Sequence, residues 1–337
     1  MTVLGVESSC DECSVAVVED GRTILGQVIA TQLEEHAPYR GVVPEIASRT
    51  HTRWIGPVYR EALERAGVTP NDLDAVAVTT RPGLVGSLVV GLSFAKGLAY
   101  GLGLPLVGVD HMLAHLYAPQ LAGAVEYPFL GLLVSGGHTI IARAEDPFTM
   151  DVMGTTIDDA CGEAFDKVAK HYELGYPGGV AIDRLAQRGD AHAFRFPDSN
   201  LHKGEHRYDV SYSGLKTAVI NQLDQFWNGE SEKSMENIAA SFQRAAIDAL
   251  LKRLFRAVED TGLARVVVGG GVAANSYLRS VLEAHDDLDV RFPPLELCTD
   301  NGAMIAGLGY HLVGRGDRDG LDLDVSSRVP AFRATYP

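Results

Sequence analysis

Val3-Leu4-Gly5-Val6-Glu7, then Ser8-Ser9-Cys10-Asp11-Glu12, then Ser14-Val15-Ala16-Val17-Val18 is the stretch whose reading decides the fold. It reads as an apolar strand, a tight polar turn and a return strand. Asp20-Gly21 turns the chain again and residues 24–31 continue the β pattern, so the chain opens as a meander. The same device returns at Phe129–Val134, Ser135-Gly136-Gly137 and residues 139–143. Two such openings predict a duplicated α/β architecture.

Between and after these openings the pattern alternates. Residues 44–66 have helical periodicity, with Ile46, Ile55, Val58 and Leu63 apolar and Gly67 as the stop. Strands are expected at 75–78, 106–109, 265–268 and 290–292. Helices are expected from Gly83 through Leu98 and over 111–121, 158–172, 181–188, 215–226, 235–261, 273–284 and 302–313. Residues 194–213 read as a polar loop or hairpin, and the tail beyond Arg315 as loosely held.

Composition narrows the functional classes. The 29 Lys+Arg against 44 Asp+Glu give a net charge of −15, with 46% hydrophobic and 22% charged residues in 337. That is a globular chain of about two domains. Its field repels a polyanion, so any nucleic-acid substrate requires local basic patches or a partner. The count of 36 glycines fits many tight turns and close backbone approaches to ligands. Four cysteines make no disulfide scaffold, which favours a reducing, cytoplasmic setting. No basic, apolar leader is visible, and Lys96 and Pro105 interrupt the longest apolar stretch, residues 83–109, which does not read as a membrane span.

Five segments can carry chemistry. The turn at Ser8–Glu12 can present N–H groups to a phosphate, with Asp11 as base or cation-orienting carboxylate, or it is a surface hairpin. Its Cys10-x-x-Cys13 has no second pair and no helix start, which disfavours a zinc ribbon or thioredoxin site. His111 and His115 share a helix face at i, i+4 and can reach one metal, or are two half-buried histidines. Met112 stands where a zinc protease needs glutamate, so metalloproteolysis is disfavoured. His202 and His206 repeat the spacing in a polar stretch that reads as a solvated loop. Leu133-Val134-Ser135-Gly136-Gly137 ends a strand in bare backbone, as a phosphate approach or a plain turn. Gly269-Gly270-Gly271 joins a buried strand to a helix, a nucleotide platform. A dinucleotide fold is disfavoured because the unit does not open a βαβ repeat, the next strand, 290–292, runs into Pro293-Pro294, and the nearby acids precede that strand. Asp300 is either an N-cap or a third metal ligand.

In order along the chain stand G-V-E-S-S-C-D-E (5–12), G-V-V-P-E-I-A-S-R (41–49), P-G-L-V-G-S-L (82–88), H-M-L-A-H (111–115) and L-V-S-G-G-H-T (133–139). They are followed by D-D-A-C-G-E-A-F-D-K-V-A-K (158–170), Y-P-G-G (176–179), S-G-L-K-T (213–217), G-G-G-V-A-A-N (269–275) and C-T-D-N-G-A-M-I-A (298–306). Together these resemble the tRNA N6-adenosine threonylcarbamoyltransferases, of the bacterial TsaD type, over nearly the whole chain. Cys13 stands where that family usually has Thr, Arg81 where Gly often precedes P-G-L-V-G, and Val180 where Pro often follows the two glycines.

The resemblance implies the ASKHA fold of actin, Hsp70 and sugar kinases: a duplicated two-lobe α/β fold with a central cleft. The lobes are expected at 1–125 plus 302–337 and at 126–301. It implies transfer of the threonylcarbamoyl group from threonylcarbamoyl-AMP to N6 of adenosine 37 in tRNAs reading ANN codons. The family's metal ligands carry onto His111, His115 and Asp300, with one divalent ion per subunit, iron first and zinc as the alternative. Substrate positions carry onto Leu133, Val134, Ser135, Gly136, Gly137, Asp166, Gly179, Asp183 and Asn275, and Asp11 becomes the catalytic candidate. The implied partners are tRNA, a paralogous TsaB-like protein of the same fold and a small TsaE-like P-loop ATPase. The competing readings are a small-molecule kinase or ATPase on this fold, with no histidine-held metal, and a non-catalytic member, expected to lose the triad. The O-carbamoyltransferases share the core but are typically much longer.

Overall fold

The computed structural model describes residues 1–39, 41–198 and 206–328. In chain order its elements are β1 (Thr2–Glu7), β2 (Glu12–Glu19), β3 (Thr23–Thr31), α1 (Leu33–His36), α2 (Pro44–Ala66), β4 (Ala75–Arg81), α3 (Val85–Leu102), β5 (Leu106–Asp110) and α4 (His111–Tyr117). There follow β6 (Phe129–Val134), β7 (Thr139–Asp146), β8 (Thr149–Thr155), α5 (Cys161–His171), α6 (Gly178–Ala186), α7 (Ser213–Asn221), α8 (Leu223–Phe226) and α9 (Met235–Thr261). The last are β9 (Arg265–Gly269), α10 (Ser276–Glu283), β10 (Asp289–Arg291) and α11 (Gly302–Gly314).

Two five-stranded sheets share one plan. The first runs β3-β2-β1-β4-β5 and the second, read from its other edge, β8-β7-β6-β9-β10. In each, a central strand pairs antiparallel with the next one in sequence (β1 with β2, β6 with β7) and parallel with a later one (β1 with β4, β6 with β9). The duplication expected from two strand–turn–strand openings is thus a matter of sheet topology.

The chain divides into two compact units. The first holds Met1–Glu126, Asp146–Thr149 and the described residues from Pro293 onward; the second holds Tyr127–Glu145 and Met150–Phe292. The segment preceding α11, residues 293–301, therefore belongs with the first unit.

In the first unit, strand alternation sorts side chains to two faces. Val3, Ala16, Ala77, Val107 and Val109 meet Met304, Ile305 and Leu308 of α11. Leu4, Val6, Val15, Val76 and Val78 meet Ile55 and Val58 of α2 and Leu92 and Ala95 of α3. By length and composition α3 is apolar enough to cross a membrane, but it packs Leu92, Ala95 and Ala99 into this core. The helix α11 lies very close to β1 because both carry glycine there. A Cβ on Gly5 would overlap the Gly302 carbonyl oxygen and stand 2.8 Å from Ala306 Cβ. In the second unit the long helix α9 carries the core, with Phe242 against Phe165 at a ring separation of 4.9 Å.

Two expectations are corrected, for the tail and for the start of one helix, and two further stretches gain detail. The tail is not loose over residues 317–326: Asp319 N–H donates to Leu106 O, Ser326 N–H to Thr80 O, and Asp319 accepts from Gly108 N–H, so it straps the edge strand β5. The strand β8, whose polar, partly exposed sequence hides it, is an edge strand directly after β7. The expected helix 273–284 begins only at Ser276, because Asn275 caps it and residues 271–274 form a 3-10 turn. Of the polar stretch around His202 and His206, His202 lies outside the described residues, while His206 is paired with Asp209 at 3.0 Å.

Gly5→Val forces α11 off β1. The expected cost is about 3 kcal/mol, the upper range for overpacking a core, read as a lowered urea midpoint, whereas Gly97→Ala, at a site open to solvent, leaves the midpoint unchanged or raises it.

Candidate active site

The strand β5 ends at Asp110, whose carboxylate accepts the N–H groups of Met112 and Leu113 and so caps α4. This fixes the first turn of α4 and with it His111 and His115, whose rings stack edge to face at 4.5 Å. At the start of α11 the cap is Asn301, which accepts from Met304 N–H. Asp300 is therefore spared the capping role. Its Oδ1 lies 3.0 Å from His115 Nε2 and 3.4 Å from His111 Nε2. The three donor atoms lie within 4.8 Å of one another, a group that can hold a metal ion. Two imidazoles and one carboxylate suit a borderline divalent ion and leave coordination positions for a substrate.

The charges around this group are asymmetric. Burial opposes charge on His111, but Asp300 and Glu7 outweigh it and hold the imidazole well above its ordinary range. His115 is pushed down, by burial first and by the neighbouring His111 second. Against the pull of burial, His111 and His115 hold Asp300 well below the usual carboxylate range. Glu7 is likewise lowered against burial, mainly by His111.

The turn between β1 and β2 is fastened from behind. Leu84 N–H donates to Ser9 O, Gln32 N–H to Asp11 O, and His51 Nε2 lies 2.9 Å from Cys10 O. Asp11 is nearly buried on this turn. Beside it Glu12 is raised well above the usual carboxylate range, by burial and then by Asp300 and Asp11. Both cysteines of the C-x-x-C are free thiols. Burial and then Asp11 push Cys10 well up, and burial raises Cys13 to about 12. Neither is an activated thiolate.

In the second unit the turns after β6 and β9 are neighbours, because Leu133 pairs in parallel with Gly269. Ser135 Oγ accepts from Gly137 and His138 N–H, closing the first turn. Gly136, Gly137, Gly179 and Gly271 would each meet nothing within 4 Å on gaining a Cβ, so their backbone is approachable. Gly270 differs: at φ +89° its Cβ would overlap the Val134 carbonyl, so its glycine serves the fold. Asp183 on α6 accepts from Ser276 Oγ at 2.7 Å and Asn275 Nδ2 at 3.3 Å, while Asn275 also donates to Gln243. Asp166 on α5 accepts from Gly178 N–H at 2.7 Å, which seats the start of α6. The structure thus joins Asp183 to Asn275 and Leu133–Gly137 to the glycine loop, and places Asp166 and Gly179 at the α5–α6 junction. The α5 end of that arrangement is anchored by Asp159, which takes Lys167 and Lys216 on its two oxygens at 2.5 Å each.

Two carboxylates escaped sequence reasoning, Glu7 and Glu12. The signal available for Glu7 was a lone acid closing an otherwise apolar strand. For Glu12 it was a second acid directly after Asp11.

The chain is similar to known proteins in sequence and in fold. Residues 23–307 match the family model described as TsaD, tRNA N6-adenosine threonylcarbamoyltransferase. A protein of that name from Treponema denticola is 58% identical over 332 residues, covering 98% of each chain. Another from Borreliella afzelii is 50% identical over 338 residues, covering 100% of this chain and 96% of its own. Among solved structures, full-length HypF matches 93% of this chain and 46% of its own with a TM-score of 0.61 at 14% identity. Component A of (R)-2-hydroxyglutaryl-CoA dehydratase from Acidaminococcus fermentans matches 93% of this chain and 99% of its own, with a TM-score of 0.55 at 16% identity. These two are likenesses of fold.

Three outcomes are expected. His111→Ala and His115→Ala each lower divalent-metal affinity by more than the roughly 10- to 100-fold that an outer-sphere partner is worth, with the circular-dichroism spectrum unchanged. Gly271→Val weakens AMP binding at least tenfold by calorimetry without shifting the melting midpoint, since its Cβ position is open. Asp159 is held below its ordinary 3.8 because Lys167 and Lys216 overcome the effect of burial. Its contribution is full above that value and fades as pH falls through the lower native one. Lys216→Met accordingly costs about 1 kcal/mol at pH 7, and the gap to the wild type closes in urea titrations taken below pH 4.

Proposed function

The chain belongs to the tRNA N6-adenosine threonylcarbamoyltransferase family, and from that premise we propose that it transfers a threonylcarbamoyl group from threonylcarbamoyl-AMP to N6 of adenosine 37 in tRNAs reading ANN codons, in the cytoplasm. The observation that carries the site assignment is the convergence of His111, His115 and Asp300, 185 residues apart in sequence at its widest hydrogen bond. The site residues suit an activated donor: they offer metal ligands, bare backbone and carboxylates, and no activated cysteine.

In the reaction the N6 amine forms a C–N bond to the carbamoyl carbon, the C–O bond to the adenylate phosphate breaks, AMP departs, and the amine gives up a proton. His111 Nε2, His115 Nε2 and Asp300 Oδ1 would hold one divalent ion, which we assign as iron. Bound there, such an ion supplies Lewis acidity and orientation to the threonylcarbamoyl group. Asp11 is assigned to steer the amine and accept its proton. Leu133, Val134, Ser135, Gly136 and Gly137 are assigned to the donor's phosphate, through backbone that lets it approach. Asp166, Gly179, Asp183 and Asn275 are assigned to its adenosine and ribose. Most of the acceleration then comes from positioning a weak nucleophile against an already activated carbonyl.

With a net charge of −15, the chain binds tRNA weakly by itself, and a paralogous partner of the same fold and a small P-loop ATPase complete the system. The helix α2 uses Ile55, Val58 and Leu63 in its own core and does not offer them to a partner. The apolar positions left open nearby are Val85 and Val89 on α3, 49% and 44% exposed, and we assign the partner to that face.

The test is a transfer assay with tRNA and threonylcarbamoyl-AMP on metal-stripped and metal-reloaded protein, with and without the partners, across a salt series. Expected are activity lost on stripping, regained on reloading, multi-turnover only with the partners, and tRNA binding that falls steeply with salt. Full multi-turnover transfer by stripped protein alone would overturn the reading.

A further inference from the structure

Glu7 is the most deeply buried acid at the candidate metal centre, with no solvent exposure. A carboxylate in such a place is costly unless both its oxygens are hydrogen-bonded. Both are: Oε1 accepts from Ser9 N–H at 2.5 Å, and Oε2 from Thr79 Oγ1 at 2.6 Å and His111 Nδ1 at 2.9 Å. The third contact has a consequence for the neighbouring ring. With the carboxylate at Nδ1, the proton of the neutral imidazole is fixed there and the Nε2 lone pair is directed to the side where Asp300 and His115 Nε2 lie.

The second histidine has no such support. Among the described residues His115 Nδ1, which is buried, finds no hydrogen-bond partner, and the ring is held through Nε2 by Asp300. The two imidazoles of the triad are therefore not equivalent.

We propose that Glu7 is a positioning residue for the metal centre: it acts through His111 alone, fixing that ring's tautomer and orientation, so that His111 is the anchored ligand and His115 the exchangeable one. The proposal rests on the reading of His111, His115 and Asp300 as a metal site. An outer-sphere carboxylate on a ligating imidazole is worth roughly 10- to 100-fold in metal affinity. Its charge matters as well as its oxygen, since charge-assisted hydrogen bonds are about twice as strong as neutral ones.

The measurement is a double-mutant cycle on Co(II) affinity, obtained by competition with a chromogenic chelator, together with the visible spectrum of the Co(II) protein and the melting midpoint of each variant without metal. Glu7→Ala is expected to weaken Co(II) binding roughly 10- to 100-fold and to shift the ligand-field bands. The same change made in His111→Ala is expected to alter affinity by less than about twofold, and in His115→Ala to retain its full effect. Glu7→Gln, which keeps an acceptor oxygen of the same shape, is expected to fall between wild type and alanine, about three- to tenfold weaker than wild type. Should Glu7→Ala fail to fold, Glu7→Gln in the three backgrounds decides alone, by the same disappearance of its effect in His111→Ala.

A general structural role would weaken binding equally in all three backgrounds, and that result would overturn the proposal. So would wild-type affinity and spectrum in both Glu7 variants while His111→Ala loses the metal. If the wild-type protein itself takes up no Co(II), the metal-centre reading fails, and the proposal with it, in a way no Glu7 variant can mimic.

Discussion

The contact on which the rest depends is the 3.0 Å hydrogen bond between His115 Nε2 and Asp300 Oδ1. It joins the helix that follows the fifth strand to the start of the last helix, which lies unusually close to the first strand. Gly5 and Gly302 make the approach possible, and Ser14 Oγ accepts from Gly302 N–H to hold the helix start in place. Apolar packing of Met304, Ile305 and Leu308 on the sheet drives the association, while the glycines set its distance. A side chain at either position would push Asp300 away from the histidines before any chemistry was touched.

The two units carry the same sheet plan to different ends. In the first, the turn after the central strand is acidic and closely held by its neighbours, with Asp11 and Glu12 on it, Glu12 feeling the charge of Asp300, and the buried Glu7 against His111. In the second, the corresponding turn is Ser135-Gly136-Gly137, closed by its own hydroxyl and open to approach. One backbone device thus presents negative charge suited to a cation in one half and bare peptide suited to a phosphate in the other.

Much of the fold was legible because periodicity and punctuation agree. The second helix begins after Val43, at Pro44, and stops at Gly67, which takes φ +67°; the ninth runs from a Ser234 cap to Gly262. Legibility failed where a short or polar element is held by distant partners: the edge strand at Thr149–Thr155 and the strap over residues 317–326. At the site, helical spacing pointed to His111 and His115. Asp300 read equally as an N-cap or a third ligand, and only the family resemblance joined it to the histidines, since no local pattern brings residue 300 to residue 115. Glu7 stayed hidden because its role is fixed by a ring 104 residues away.

The central claim is that this triad is a metal centre built by the fold. Anomalous diffraction from crystals of metal-loaded protein, collected above and below the absorption edge, tests it most directly. The account requires one strong peak at about 2.0–2.2 Å from His111 Nε2, His115 Nε2 and an Asp300 oxygen. A peak bound elsewhere, or none at these three side chains in fully loaded protein, would contradict it.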